Sequence, residues 1–66
     1  MQLQVNGNPA WIAEGAPLQQ LIEQLGLAGQ RLAVEVNEAL VPRSRFGEHR
    51  LAEGDKVEII QAVGGG

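Results

Sequence analysis

Apolar and polar positions alternate near both ends of the chain and recur at helical spacing between them. In MQLQV, Leu3 and Val5 share one face while Gln2 and Gln4 share the other, which predicts a half-buried strand over residues 1–5. Asn6-Gly7-Asn8 predicts a hairpin, because asparagine and glycine accept positive φ at low cost. A second strand is expected over about 10–14, with Ile12 inward and Trp11 outward, and Pro9 at its start suits a sheet edge. Leu18, Leu21, Ile22 and Leu25 then form a single helical stripe. Pro17 fits the first helical position, Ala16 before it offers no capping oxygen, and Gly26 with Leu27 reads as a Schellman-type stop.

Alternation returns over 32–37, with Leu32, Val34 and Val36 inward. A turn is expected at Glu38-Ala39, then a brief strand, Leu40-Val41, that Pro42 ends. Residues 43–50, RSRFGEHR, are polar and read as irregular, and Leu51 reads as a core plug. Glu53-Gly54-Asp55 reads as a turn, and Lys56 to Ala62 as a last strand with Val57 and Ile59 inward. The expected architecture is α+β, a mixed sheet of about five strands with one packed helix in the order β-β-α-β-β-β. If the first and last strands meet at the sheet centre, the ubiquitin-like β-grasp results. One domain is expected over residues 1–63, followed by a flexible glycine tail over 64–66.

With 66 residues the chain suffices for one small domain but hardly for a deep substrate cavity as well. It has no cysteine, which excludes disulfides, thiolate metal sites and cysteine-held iron–sulfur clusters. Eight acidic residues against five basic ones give a net charge of −3, which argues against a nucleic-acid partner. There is neither a signal-peptide pattern nor a membrane-spanning run, so a cytoplasmic protein without a membrane partner is expected.

The sequence closes on QAVGGG. Glycines lose much backbone entropy on ordering and pack no side chain, so their use here is narrowness. At about 3.3–3.6 Å per residue, Val63 to Gly66 reach roughly 13–14 Å, thin enough for a slot that any Cβ blocks. The terminal carboxylate is ionised at neutral pH and is a poor acyl donor until activated, for instance as an acyl-adenylate. The chain itself has neither a GxxxxGK[ST] phosphate loop nor a Ser/His/Asp set, so activation must come from a partner enzyme. The competing reading is a glycine end without a role.

The whole chain resembles the ThiS/MoaD group of ubiquitin-like sulfur carriers, on its thiamin-biosynthesis (ThiS) side. MQLQVNG is similar to that group's first strand and turn, and PLQQLIEQL to its helix. VEVNEALVPRSRF is similar to its N-x-x-x-V-P-R segment followed by an aromatic, and LAEGDKVEIIQAVGGG to its G-D-x-[VI]-E strand and glycine end. Pro17, Phe46 and Gly64 depart from the more usual Thr or Ser, Trp and Ala. The resemblance implies a protein co-substrate rather than an enzyme, with no bound cofactor or metal. A ubiquitin-activating-like adenylyltransferase uses ATP and magnesium to adenylate Gly66. A persulfide sulfur donor makes the thiocarboxylate, and thiazole synthase takes the sulfur into the thiazole ring. Gly65 and Gly64 form the tail. The runner-up within the class is the small subunit of molybdopterin synthase, and in another class a ubiquitin-like protein modifier.

Ile60, Ala62 and Val63 read as a docking patch at the root of the tail, beside Trp11 if that ring is exposed. Arg43, Arg45, Arg50 and His49 read as a solvated basic loop rather than a binding site, and His49 has no companion metal ligands. Glu53 and Asp55 read as turn residues rather than a catalytic pair.

Overall fold

The computed structural model describes residues 1–62. Its elements are β1 (Gln2–Val5), β2 (Asn8–Trp11), α1 (Leu18–Gln24), β3 (Leu32–Val36), β4 (Ala39–Val41), a 3₁₀ turn (Arg43–Arg45) and β5 (Lys56–Gln61). The sheet order is β2-β1-β5-β3-β4. β1 and β5 run parallel at the centre, and the other pairs are antiparallel. This is the β-grasp arrangement, with α1 carried across one face between the two hairpins.

Both hairpins turn on two residues with positive φ, the geometry that matches strand twist. Asn6 and Gly7 have φ of 51° and 83°, and Asn37 and Glu38 have 52° and 70°. The first turn falls where Asn6-Gly7 predicts it, but the bounds of β2 and the position of the second turn differ from expectation. Asn8 already pairs with Val5, so β2 starts earlier than residue 10, and a turn at Glu14-Gly15 cuts it short. The second turn is Asn37-Glu38 rather than Glu38-Ala39, and Ala39 pairs with Val36. Pro9 lies opposite Gln4 on the edge strand, where its missing donor faces away from the ladder.

One face of the sheet and the helical stripe close the core. Leu3, Leu18, Leu21, Val34 and Val57 are fully enclosed, with Ile12, Ile22, Val36, Val41, Leu51 and Ile59 around them. Burial of each large aliphatic contributes about 1.5–3 kcal/mol. Leu25 is not part of this core. The helix ends at Gln24, and the chain turns through Gly26 at φ 75°. The Leu27 and Gly26 N–H groups donate to the Ile22 and Glu23 carbonyls, which is the Schellman pattern. Leu27 then packs on the core, while Leu25 is left 39% exposed.

The start of the helix brings a second correction. Pro17 is the N-cap, with ψ of 159°, rather than the first helical residue. It is extended, as N-cap residues usually are, and forms an isolated bridge with Arg50. With no capping side chain, the Leu18 and Gln19 N–H groups donate instead to the His49 and Phe46 carbonyls, at 2.8 and 2.9 Å. Residues 43–50 are thus not irregular. Buried Phe46 pins them, and their backbone caps the helix. Arg50 donates to the Gly15 carbonyl and Arg45 pairs with Glu48, so two of the basic residues have partners inside the loop's own surroundings.

Candidate functional site

The expected docking patch and the start of the glycine end lie at the exit of β5. Because strand side chains alternate, Val57 and Ile59 point to the helix while Lys56, Glu58 and Ile60 point the other way. Ile59 is buried, whereas its neighbour Ile60 is 65% exposed. Ile60 lies opposite Ala33, and Gln61 opposite Leu32. The Ala62 N–H donates to the Arg31 carbonyl at 2.9 Å, and the Gln61 and Gln30 side chains are hydrogen-bonded. β3 therefore guides β5 along its whole length.

β1 does not. Its ladder to β5 consists of Gln4 opposite Lys56 and Val5 opposite Val57, and the Asn6 N–H donates to the Val57 carbonyl. One step further, the Asn6 side chain replaces the backbone. Its Oδ1 accepts from the Ile59 N–H at 2.8 Å, and its Nδ2 donates to the Ile59 carbonyl at 3.2 Å.

Ile60 and Ala62 are exposed, as a docking patch requires. Val63 and the glycines Gly64, Gly65 and Gly66 lie outside the described residues. Trp11 is exposed too, at 63%, but it is not beside Ile60. It pairs with Gln2, whose carbonyl accepts from the Gly54 N–H. Gly54 lies six positions before Ile60, which at about 3.3 Å per residue separates the two ends by roughly 20 Å along the sheet. Exposure was legible from alternation, but the register that places Trp11 at the far end was not.

A further exposed apolar side chain on this face is Leu40, 67% exposed on β4, two strands from Ile60. Leu40 lies opposite Glu35, next but one to the Ala33 that faces Ile60. Its direction has a signal in the sequence: Val41 inward forces Leu40 outward. Between the two apolar side chains, Glu35 and Glu58 sit directly opposite each other, like charges that a sheet holds at a cost. The patch is apolar with an acidic centre. Glu53 and Asp55 do turn work: the Glu53 carboxylate accepts from the Gln2 N–H, and the Asp55 carboxylate from the Ala52 N–H and the Asn37 amide.

The ThiS family model matches residues 3–66. The sulfur carrier protein ThiS of Escherichia coli is 30% identical over 66 residues, covering all of both chains. A thiazole synthase of Magnetococcus marinus is 38% identical over 66 residues, but the match spans 20% of that protein. The crystal structure of the thiamine biosynthesis protein ThiS from Geobacter metallireducens superposes with a TM-score of 0.84 at 33% identity, covering 100% of each chain. No helix among the described residues is long and apolar enough to cross a membrane.

Proposed function

Because the chain belongs to the ThiS family, we propose that it is a sulfur carrier of thiamin biosynthesis that bears its cargo on the carboxyl group of Gly66. The protein acts as a co-substrate, not as a catalyst, and works in the cytoplasm. The Gly66 carboxylate attacks the α-phosphate of ATP on a ubiquitin-activating-like adenylyltransferase, whose magnesium supports the departure of pyrophosphate. The terminal sulfur of a persulfide donor then displaces AMP, and a thiol reductant cleaves the S–S bond to leave a thiocarboxylate. Thiazole synthase takes the sulfur, and the carboxylate returns.

The observation that carries this reading is the build of β5. Buried Val57 and Ile59 fix the strand in the core, and the same strand delivers Ile60, Gln61 and Ala62 to the surface directly ahead of Val63 and the three glycines. Gly64 and Gly65 supply an arm without side chains, able to enter a narrow catalytic groove. Ile60 and Ala62, with Val63 following, dock the partner while that arm reaches its active site. The thiazole synthases that carry a segment like this chain support thiazole synthase as the recipient of the sulfur.

The test is incubation of the whole chain with ATP, magnesium, a cognate adenylating enzyme and a persulfide donor, followed by intact-mass analysis. The expected products are the adenylate and then a species with one terminal oxygen exchanged for sulfur. Isopeptide conjugates to other proteins, with no sulfur exchange, would identify a modifier instead. Sulfur transfer to a molybdopterin precursor, with no thiazole formed, would identify the synthase small subunit.

A further inference from the structure

We propose that Asn6 is a positioning residue for the reaction at the end of the chain, its side-chain amide setting the line along which β5 leaves the sheet. The inference rests on the reading of Gly66 as the reacting terminus. Three observations support it. First, β1 contributes two paired positions to β5, and Asn6 adds a third rung with its side chain, both amide atoms closing on the backbone of Ile59. Second, Asn6 can reach that backbone because its own φ is 51°, which lets the hairpin turn away while the side chain continues toward β5. Third, past Asn6 the β1 flank of β5 opens into a groove of about 410 Å³. Asn6, Pro9, Leu25, Leu27, Ile59 and Gln61 are among its lining residues, so side chains rather than a neighbouring strand face Gln61 there.

The result is an uneven hold. Through Ile59 the strand is gripped from both sides, and over Ile60 to Ala62 from the β3 side. Asn6 thus sits at the last two-sided point among the described residues. A small change of direction there shifts Ile60, Gln61 and Ala62, the described residues from which the arm starts. Misplacement of a reacting group by about an ångström lowers turnover by up to ~100-fold.

Asn37 provides an internal control. It too has positive φ, and its amide accepts from the Lys56 N–H at 3.0 Å and donates to Asp55 at 2.9 Å, at the opposite end of β5. Asn6→Gly and Asn37→Gly both keep a turn that tolerates positive φ and both remove two amide hydrogen bonds. Each variant is compared with the native chain in adenylation by the cognate enzyme, at equal concentration of folded carrier, and in amide hydrogen exchange. Asn6→Gly is expected to lower kcat about tenfold, with KM for the carrier within about twofold. It is also expected to speed exchange at Ala62, whose N–H bonds to Arg31 and not to Asn6. Asn37→Gly is expected to keep the native kcat. Asn6→Asp keeps the size and the turn but sets a carboxylate oxygen against the Ile59 carbonyl, and should reproduce the kcat loss if Asn6→Gly does not fold. Equal kcat in the Asn6 and Asn37 variants, or unchanged exchange at Ala62, overturns the proposal. A native chain that is never adenylated overturns the reading of Gly66, and the positioning role with it, even where the exchange data show the clamp at Ile59.

Discussion

Ile59 and Ile60 are the same residue type, adjacent in one strand, and they do opposite things. Ile59 is 8% exposed and packs under the helix, whereas Ile60 is 65% exposed on the bare face of the sheet. Their chemistry is identical, so the difference lies wholly in the pleat, which turns successive side chains to opposite sides. One residue stabilises the domain. The other presents its apolar surface to water, which costs the isolated protein free energy that a docking partner, as proposed, would recover. On the proposed function, a strand that leads into a reacting terminus needs both.

Truncating the buried member should have the largest effect. Ile59→Ala is expected to destabilise the domain by about 2–5 kcal/mol, read as a fall in the denaturation midpoint, because it opens a cavity beneath α1. A loss under about 0.5 kcal/mol would show that Ile59 is not part of the cooperative core. Ile60→Ala should leave stability within about 0.5 kcal/mol but raise KM for the adenylating enzyme about tenfold, as expected for an apolar anchor worth about 1.4 kcal/mol. If the melting point falls and KM does not move, the contrast between the two isoleucines fails. Leu40→Ala should act in the same direction more weakly, with KM raised about threefold, since it lies at the margin of the patch. Trp11→Ala, roughly 20 Å away along the sheet, should change KM by less than about twofold; a larger change would put the docking surface at the other end of the molecule.

Local pattern accounts for what was legible in the sequence. Alternation placed Leu3, Val34, Val57 and Ile59 inside, and helical spacing placed Leu18, Leu21 and Ile22 there. Gly26 and Leu27 marked the helix stop with its hydrogen-bond pattern. What escaped was whatever depends on a distant segment. Pro17 stands outside the helix in a bridge to Arg50, and residues 43–50 are held where Phe46 is buried and two helical N–H groups need carbonyls. Leu25 lost its place in the core to Leu27 once the chain had turned at Gly26. For the site, exposure of Ile60 and Trp11 was readable, but the register that separates them was not. Leu40 shows the reverse case, since its outward direction followed from Val41 but its place on the same sheet face as Ile60 depends on the strand order.

The helix lacks a cap of its own and takes two carbonyls from the bend at Phe46 and His49. That arrangement makes the spacing between these two positions a ruler. Adding or removing a residue within Phe46-Gly47-Glu48-His49 would leave one carbonyl facing a helix turn it no longer matches, although the bend lies on the surface where length changes are usually tolerated. Relatives built on this plan should therefore vary in length at other bends and keep this one constant.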